Sequence, residues 1–350
     1  MALTILQVAF PFAPVGPDAV GGAEQVLSTI ERGLPRFGHR AIVLACEGSA
    51  TNSTLLPIPL PPGPVTDAMQ DAVHAALRER IAAALRRYPV DLVHMHGIDF
   101  HRYLPSPGVP VLATLHLPPG WYPPEVFRPA RPDTWLHAVS SSQHRACPPC
   151  ASLLPPIDNG VATDALHLPL TRRRFALLLG RVCPEKNQHA ALEAGSQAGM
   201  PVLLGGQVFP YAAHETYWRD KVLPRLTLPH RFLGPLGFAR KRRLLSAARC
   251  LISASIAPET SSLVAMEAMS CGTPVVAFAS GALADIIEHG VTGFLVRDVA
   301  EMAVAIRAAD GLCPATIRAT ARRRFSADAM LAGYLGAYHR VARPGSSHAA

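Results

Sequence analysis

Two glutamates separated by seven residues, Glu259 and Glu267, lie in the segment 257–278, APETSSLVAMEAMSCGTPVVAF. Eight helical steps at about 1.5 Å would place them roughly 12 Å apart. Carboxylates that share acid/base work across a sugar bond stand within about 10 Å of each other, so these two are not such a pair. The span suits gripping two ends of one long ligand. Thr260, Ser261 and Ser262, between them, are residue types that cap helix N-termini. A helix starting there would turn free backbone N–H groups and a positive dipole end toward an anion. A carboxylate on each side accepts hydrogen bonds from hydroxyls. Together these groups describe a holder for a sugar–diphosphate–ribose. The same residues also read as a capped amphipathic helix with an incidental glutamate at each end.

A second constellation is LGRVCPEKNQ, residues 179–188, where Arg181 and Lys186 follow an apolar run that ends at Gly180. Fixed cations at a strand end can hold a diphosphate and stabilise it as it leaves with added negative charge. The competing reading is a solvated surface turn, the usual place for Arg and Lys. No Asp-x-Asp pair occurs in the sequence. Such pairs hold a divalent ion on a diphosphate, and their absence fits a metal-free site in which Arg181, Lys186 and helix amides carry the charge. No metal and no cofactor is expected.

The first half carries weaker signals. Gly21 and Gly22, in VGGAE, can bring backbone close to a ligand at a helix start, or form a plain flexible loop. They do not make a G-x-G-x-x-G fingerprint. His116 ends the run VLATLH. His94 and His96 share one strand face by period two. They read as packing residues or as acceptor-side groups. A metal-like pair is a third reading, although no third ligand is evident. Cys147-Pro-Pro-Cys150 is a single C-x-x-C, where a zinc site needs a second pair.

These residues need strands to hold them. Short apolar runs alternate with helix-like stretches along the chain. The strand readings in the first half are 3–10, 40–45, 90–95, 111–116 and 135–140, with helices over 24–33 and 73–87. The pattern restarts with strands over 175–180, 201–205, 231–233, 250–253 and 274–278. Helices lie over 187–198, 241–248, 262–269 and 283–289. Continuous apolar strands separated by helices mean parallel sheets covered on both faces. The expected fold class is α/β with two doubly wound, Rossmann-like domains facing across a cleft, ligands binding at the carboxyl ends of strands. The expected division is 1–160, 161–325, a final helix 326–342 that returns to the first domain, and a flexible tail 343–350.

At 350 residues, 49% hydrophobic and 17% charged, the chain has material for two ordinary cores. No apolar run is long enough for a spanning helix. The start, MALTILQVAF, reads as a first strand and not as a signal peptide. The odd cysteine count, seven, argues against a disulfide scaffold and for a reducing cytoplasm. The net charge of +8 suits phosphate-bearing ligands, anionic membranes or nucleic acid. No finger spacing or RNP-like aromatic motif supports nucleic acid. The basic stretch with Arg78, Arg80, Arg86 and Arg87 reads as a solvated helix face, with peripheral contact to the inner face of a membrane as the alternative.

The glutamate pair followed by AMSCGTPVV resembles the signature of the retaining GT-B glycosyltransferases of family 4 (glycosyl transferases group 1), and the likeness extends over nearly the whole chain. It implies that the residue at Glu267 binds ribose hydroxyls and that Glu259 contacts the donor sugar. Backbone amides from Thr260, Ser261, Ser262 and Leu263 would contact sugar and phosphate, and Arg181 and Lys186 the diphosphate. It also implies that Gly21 and Gly22 lie beside the donor phosphate, that His116 lies near the donor sugar, and that Leu233 lies near the base. The catalytic set is then His116, Glu259, Arg181 and Lys186. Ser261-Ser262 stand where Phe-Gly is common in the family, which leaves the sugar open. Ala162 stands where an Asp often follows Asn159-Gly160-Val161, which leaves that motif a structural role. The implied reaction is retaining, metal-independent hexosyl transfer from a nucleotide-sugar, UDP-sugar favoured, to a hydroxyl of a glycan, lipid or small molecule. The alternatives are a nucleotide-sugar epimerase on the same fold and a non-catalytic nucleotide- or partner-binding scaffold.

Overall fold

In the computed structural model, which describes residues 2–60, 63 and 65–342, the chain forms two parallel six-stranded sheets. The first contains β1 (Thr4–Val8), β2 (Arg40–Cys46), β3 (Thr54–Ile58), β4 (Leu92–Met95), β5 (Val111–Leu115) and β6 (Thr134–Ala138). Helices α1 (Gly22–Gly33), α2 (Asp67–Arg87) and α3 (Ser141–Ala146) connect or follow them. The second contains β7 (Ala176–Leu179), β8 (Val202–Gly205), β9 (Arg231–Gly234), β10 (Cys250–Ser253), β11 (Val275–Phe278) and β12 (Gly293–Val296). Its helices are α4 (Thr163–Leu166), α5 (Gln188–Gln197), α6 (Ala212–Tyr217), α7 (Phe238–Ala247), α8 (Leu263–Ser270), α9 (Leu283–Ile286), α10 (Val299–Ala308) and α11 (Pro314–Phe325). A last helix, α12 (Ala327–Val341), follows. The chain divides into two units, Met1–Asp158 with the segment from Asp328, and Asn159–Ala327. Residues 343–350, expected as a tail, lie outside the described residues.

The strand orders are β3-β2-β1-β4-β5-β6 and β12-β11-β10-β7-β8-β9. Counted within each sheet, both are the order 3-2-1-4-5-6. The direction of winding reverses between β1 and β4, and again between β7 and β10. Ligands of open α/β sheets bind outside the carboxyl ends of the strands at such reversals. The central strands are buried on both faces: TILQV, VLATL and ALLL are nearly solvent-free. This is why they stand out in the sequence as unbroken apolar runs.

The edge strands do not stand out. β3, TLLPI, is mostly half-exposed and contains Pro57, which an edge strand tolerates because one side has no ladder to feed. β12 opens on Gly293, where a Cβ would come 2.0 Å from Val275 O. α2 starts six residues before the apolar pattern suggests, because the Thr66 side chain accepts from Met69 N and caps it. α10 is capped in the same way by Asp298, which accepts from Glu301 N at 2.8 Å. Arg78, Arg80, Arg86 and Arg87 are exposed on α2, and Arg78 donates to Arg102 O. Among the described residues, no helix is long and apolar enough to cross a membrane.

Gly293→Ala would push a methyl into the β11 backbone. It is expected to cost about 1–3 kcal/mol, read as a lower urea midpoint of the second unit at an unchanged slope. An unchanged midpoint would mean that β11 and β12 are less closely apposed than described.

Candidate active site

After β10 the chain runs as a loop to Ser262, whose Oγ accepts from Ala265 N at 3.4 Å and caps α8. Only the last part of the glutamate pair's spacing is therefore helical: Glu259 sits in the loop and Glu267 on the second turn of α8. The all-helical estimate of their separation does not apply. Glu267 is 5% exposed. Its Oε1 accepts from Lys241 Nζ of α7 at 2.5 Å, while its Oε2 is buried with no hydrogen-bond partner among the described residues. Ser261 Oγ, at the head of the same helix, is also buried without a partner. Buried polar atoms left unpaired cost about 1–3 kcal/mol each, and these two, one ahead of α8 and one on its second turn, are able to take a hydrogen bond from an incoming donor. Burial pushes the Glu267 carboxyl above its usual range, against the pull of Lys241.

Glu259 is held by its backbone. Its carbonyl accepts from Ala282 N at 2.7 Å. Gly281 lies at φ +55°, where a Cβ would come 2.3 Å from that same oxygen, so the turn over the loop needs glycine. The Glu259 Oε1 accepts from Lys186 Nζ at 2.5 Å. Lys186 arrives from the other side of the reversal, on a short turn after β7 that Asn187 closes in the left-handed region at φ 52°. Two bonds tie the turn to the loop, Ile256 N and Ser255 Oγ donating to Glu185 O at 2.9 and 3.1 Å. Gln188 Nε2 donates to Arg181 O at 2.6 Å, and the Arg181 side chain is exposed. Thr260, Ser261, Ser262 and Leu263 are all half-buried around the same helix start. Leu233 is half-buried on the edge strand β9.

Lys241 is the residue that the sequence reading missed. Its signal was present: it is one of three lysines in an arginine-rich chain, with Lys186 and Lys221. Two of the three meet the two glutamates. Among the described residues, Cys183, Glu185 and His214 bring one potential metal-ligand atom each within 4.8 Å of the others. Burial pushes the Cys183 thiol up, and its hydrogen bond with Glu185 pushes it the same way. Cys147 and Cys150 are free thiols, and burial pushes Cys147 up to about 11.

On the first unit, Gly21 is the N-cap of α1 and Gly22 its first residue, with no capping side chain. A Cβ on Gly21 would lie 1.8 Å from Glu24 Oε2, so the buried Glu24 carboxylate occupies that space. His116 directly follows β5, half-buried, its ring stacked on His96 at 5.3 Å between centroids. Burial, with a smaller push from His137, lowers it to about 3. His94 and His96 are buried, and all four of their ring nitrogens are engaged, with Tyr338, Thr114, His116 and Gln7. They are packing residues, with no nitrogen left for a metal or an acceptor. Gly160 has a structural part: a Cβ there would come 2.4 Å from Ser326 O.

Two parallel doubly wound sheets in series, each of the order 3-2-1-4-5-6, are the architecture of the GT-B fold class. The family model "Glycosyltransferase Family 4" matches residues 20–148, and "Glycosyl transferases group 1" matches residues 174–309. The chain belongs to this family, the group 1 or family 4 glycosyltransferases. It is 33% identical over 156 residues to the D-inositol 3-phosphate glycosyltransferase of Mycobacterium tuberculosis. That match covers 43% of this chain and 32% of the relative's length. AviGT4, a glycosyltransferase involved in avilamycin A biosynthesis, superposes with a TM-score of 0.73 at 22% identity, over 97% of this chain and 98% of that one. HepE from Anabaena, in complex with UDP-glucose, superposes at 0.75 with 19% identity, over 96% and 99%. Sucrose-phosphate synthase from Thermosynechococcus elongatus does so at 0.77 with 19% identity, over 97% and 99%. These likenesses establish the fold.

Lys241→Met would strand the buried Glu267 carboxylate, at a cost of about 3–5 kcal/mol at pH 7. A carboxyl raised in the folded state binds protons that the unfolded chain has released, so folded stability falls as pH rises above about 4.3. Removing Lys241 raises it further. The stability gap between wild type and variant, measured by urea unfolding, should therefore be wider at pH 8 than at pH 5. Adding Glu267→Gln should close most of it. A gap independent of pH would mean that the two groups are not a charge pair.

Proposed function

We propose that the protein is a retaining, metal-independent glycosyltransferase that moves a hexosyl group from a nucleotide-sugar, UDP-sugar favoured, to a hydroxyl of an acceptor. The observation that carries this reading is the Oε2 of Glu267, buried on the second turn of α8 with no hydrogen-bond partner among the described residues, with the Ser261 Oγ ahead of the same helix in the same condition. A ribose offers vicinal hydroxyls to such a carboxylate, and a charge-assisted hydrogen bond there is worth about 1.5–3 kcal/mol. The amides of Thr260 to Leu263, at the positive end of α8, take the phosphate. The Lys186 ammonium has three N–H donors. One remains on Glu259, which orients the sugar, while the others turn to the diphosphate with Arg181. As the sugar–phosphate bond breaks, the added charge on the phosphate is met by these fixed cations, which need no reorganisation at that moment.

With no enzyme nucleophile assigned, retention follows from front-face substitution. The departing phosphate oxygen takes the proton of the incoming hydroxyl, and the bond to the sugar forms on the face the phosphate leaves. His116, Gly21 and Gly22 keep the roles that the family resemblance implies for them, toward the donor sugar and its phosphate, and Leu233 its role toward the base. The UDP preference draws on HepE, solved with UDP-glucose. The acceptor is a glycan, a lipid or a small molecule.

The test is calorimetric titration with UDP, GDP and ADP and their glucose, mannose and N-acetylglucosamine conjugates, in the presence of EDTA. One nucleotide should bind at micromolar affinity. Glu267→Gln should weaken it about tenfold to a hundredfold. Glu259→Gln should spare binding and reduce turnover of the donor. Binding that needs a divalent ion, or that survives Glu267→Gln unchanged, would overturn the assignment.

A further inference from the structure

His116 stands at one end of a hydrogen-bond chain whose direction is fixed at every link. The other end is a backbone carbonyl, which only accepts. His137 Nδ1 lies 3.1 Å from Ala138 O, so its proton is on Nδ1 and Nε2 keeps a lone pair. Thr114 Oγ1, 2.7 Å from that Nε2, must donate to it. Thr114 Oγ1 therefore accepts from His94 Nε2 at 2.7 Å, and the Tyr334 hydroxyl at 3.5 Å fills its second lone pair. His94 Nδ1 then accepts from the Tyr338 hydroxyl at 2.8 Å. The Tyr338 oxygen accepts from Gln7 Nε2 at 3.2 Å. That sense of the amide turns Gln7 Oε1 toward His96 Nε2, which donates to it at 2.7 Å. His96 Nδ1, now an acceptor, takes the proton of His116 Nε2 at 3.0 Å.

The chain needs neutral rings. Burial supplies them, holding all four histidines well below their usual range, His137 at about 4 and His116 at about 3. The geometry also places the groups on one face. Gln7 and His94 are register partners on β1 and β4, and Thr114 and His137 on β5 and β6. α12 supplies Tyr334 and Tyr338.

We propose that this chain locks His116 as its Nε2–H tautomer, with Nδ1 as an obligate acceptor, and that Gln7, His94, His96, Thr114, His137 and Tyr338 are positioning residues for it. The functional half of the proposal rests on the reading that His116 acts on the sugar; the tautomer itself does not. An imidazole so held can only accept at Nδ1 and is no general acid there at neutral pH.

Long-range proton–nitrogen NMR of the full chain, labelled in histidine and assigned by single substitutions, reads the tautomers directly. At pH 7, His94, His96 and His116 should be Nε2–H, and His137 alone of the four should be Nδ1–H. An imidazolium, an Nδ1–H form at His116, or an Nε2–H form at His137 would overturn the proposal. Gln7→Leu, checked for an unchanged fold by melting, severs the chain beyond His96. It should shift and broaden the His116 signals and leave His137, anchored on its own carbonyl, unmoved. An undisturbed His116 in that variant would show that the chain does not hold it. Absence of sugar transfer by the wild type would sink the glycosyltransferase reading and leave the tautomer pattern as predicted.

Discussion

The second unit is organised around a carboxylate that has to stay charged inside protein. Glu267 is buried on α8, where an isolated carboxyl would take up a proton and lose acceptor capacity. Lys241 offsets part of that penalty from α7. The choice of lysine matters. A guanidinium tends to engage both carboxylate oxygens through its planar fork. An ammonium is a compact point charge, and here it takes Oε1 and leaves Oε2 open. The same holds at Glu259, where Lys186 pairs with Oε1. In a chain whose other cations, Lys221 aside, are arginines, both of these carboxylates are paired with the ion that occupies them least.

The pair of Lys186 with Glu259 is possible because of where the sheet reverses. β7 and β10 are hydrogen-bonded neighbours, Cys250 beside Ala176, yet their following segments depart to opposite sides. The turn carrying Lys186 and the loop carrying Glu259 therefore start side by side. Glu185 O, accepting from both Ser255 and Ile256, fixes their spacing. Gly281 then lets the next loop fold directly over Glu259 O. The cations and the carboxylates are thus set by backbone contacts of the scaffold, and the side chains have little distance left to search.

This explains which features could be read without coordinates. Central strands such as ALLL and VLATL are buried on both faces and write themselves as apolar runs. The residues just after them, Arg181 and His116, stood out because the fold class says that ligands bind at strand ends. The edges β3 and β12 have one open side, carry Pro57 and Gly293, and lose the run. Lys241 was invisible as a partner because it sits 26 positions before Glu267 on a different helix, and only the crossing of α7 and α8 brings them together. Period two put His94 and His96 on one face. It could not say that Gln7 and Tyr338, 331 positions apart, would meet there.

The buried histidines impose a stricter condition than the apolar cores do. Each neutral imidazole offers one donor and one acceptor, and a mismatch at any link leaves two like groups facing each other in a medium that cannot solvate them. One carbonyl, Ala138 O, sets the sense for His137, and every later link inherits it. A phenylalanine at 338 would fill the space of the tyrosine and still break the sequence of donors, because Gln7 would lose its acceptor and His94 its donor. Helix α12 is thereby bound to β1 and β4 by polarity as well as by fit. The histidine at the end of β5 has its protonation state decided by residues drawn from both ends of the chain.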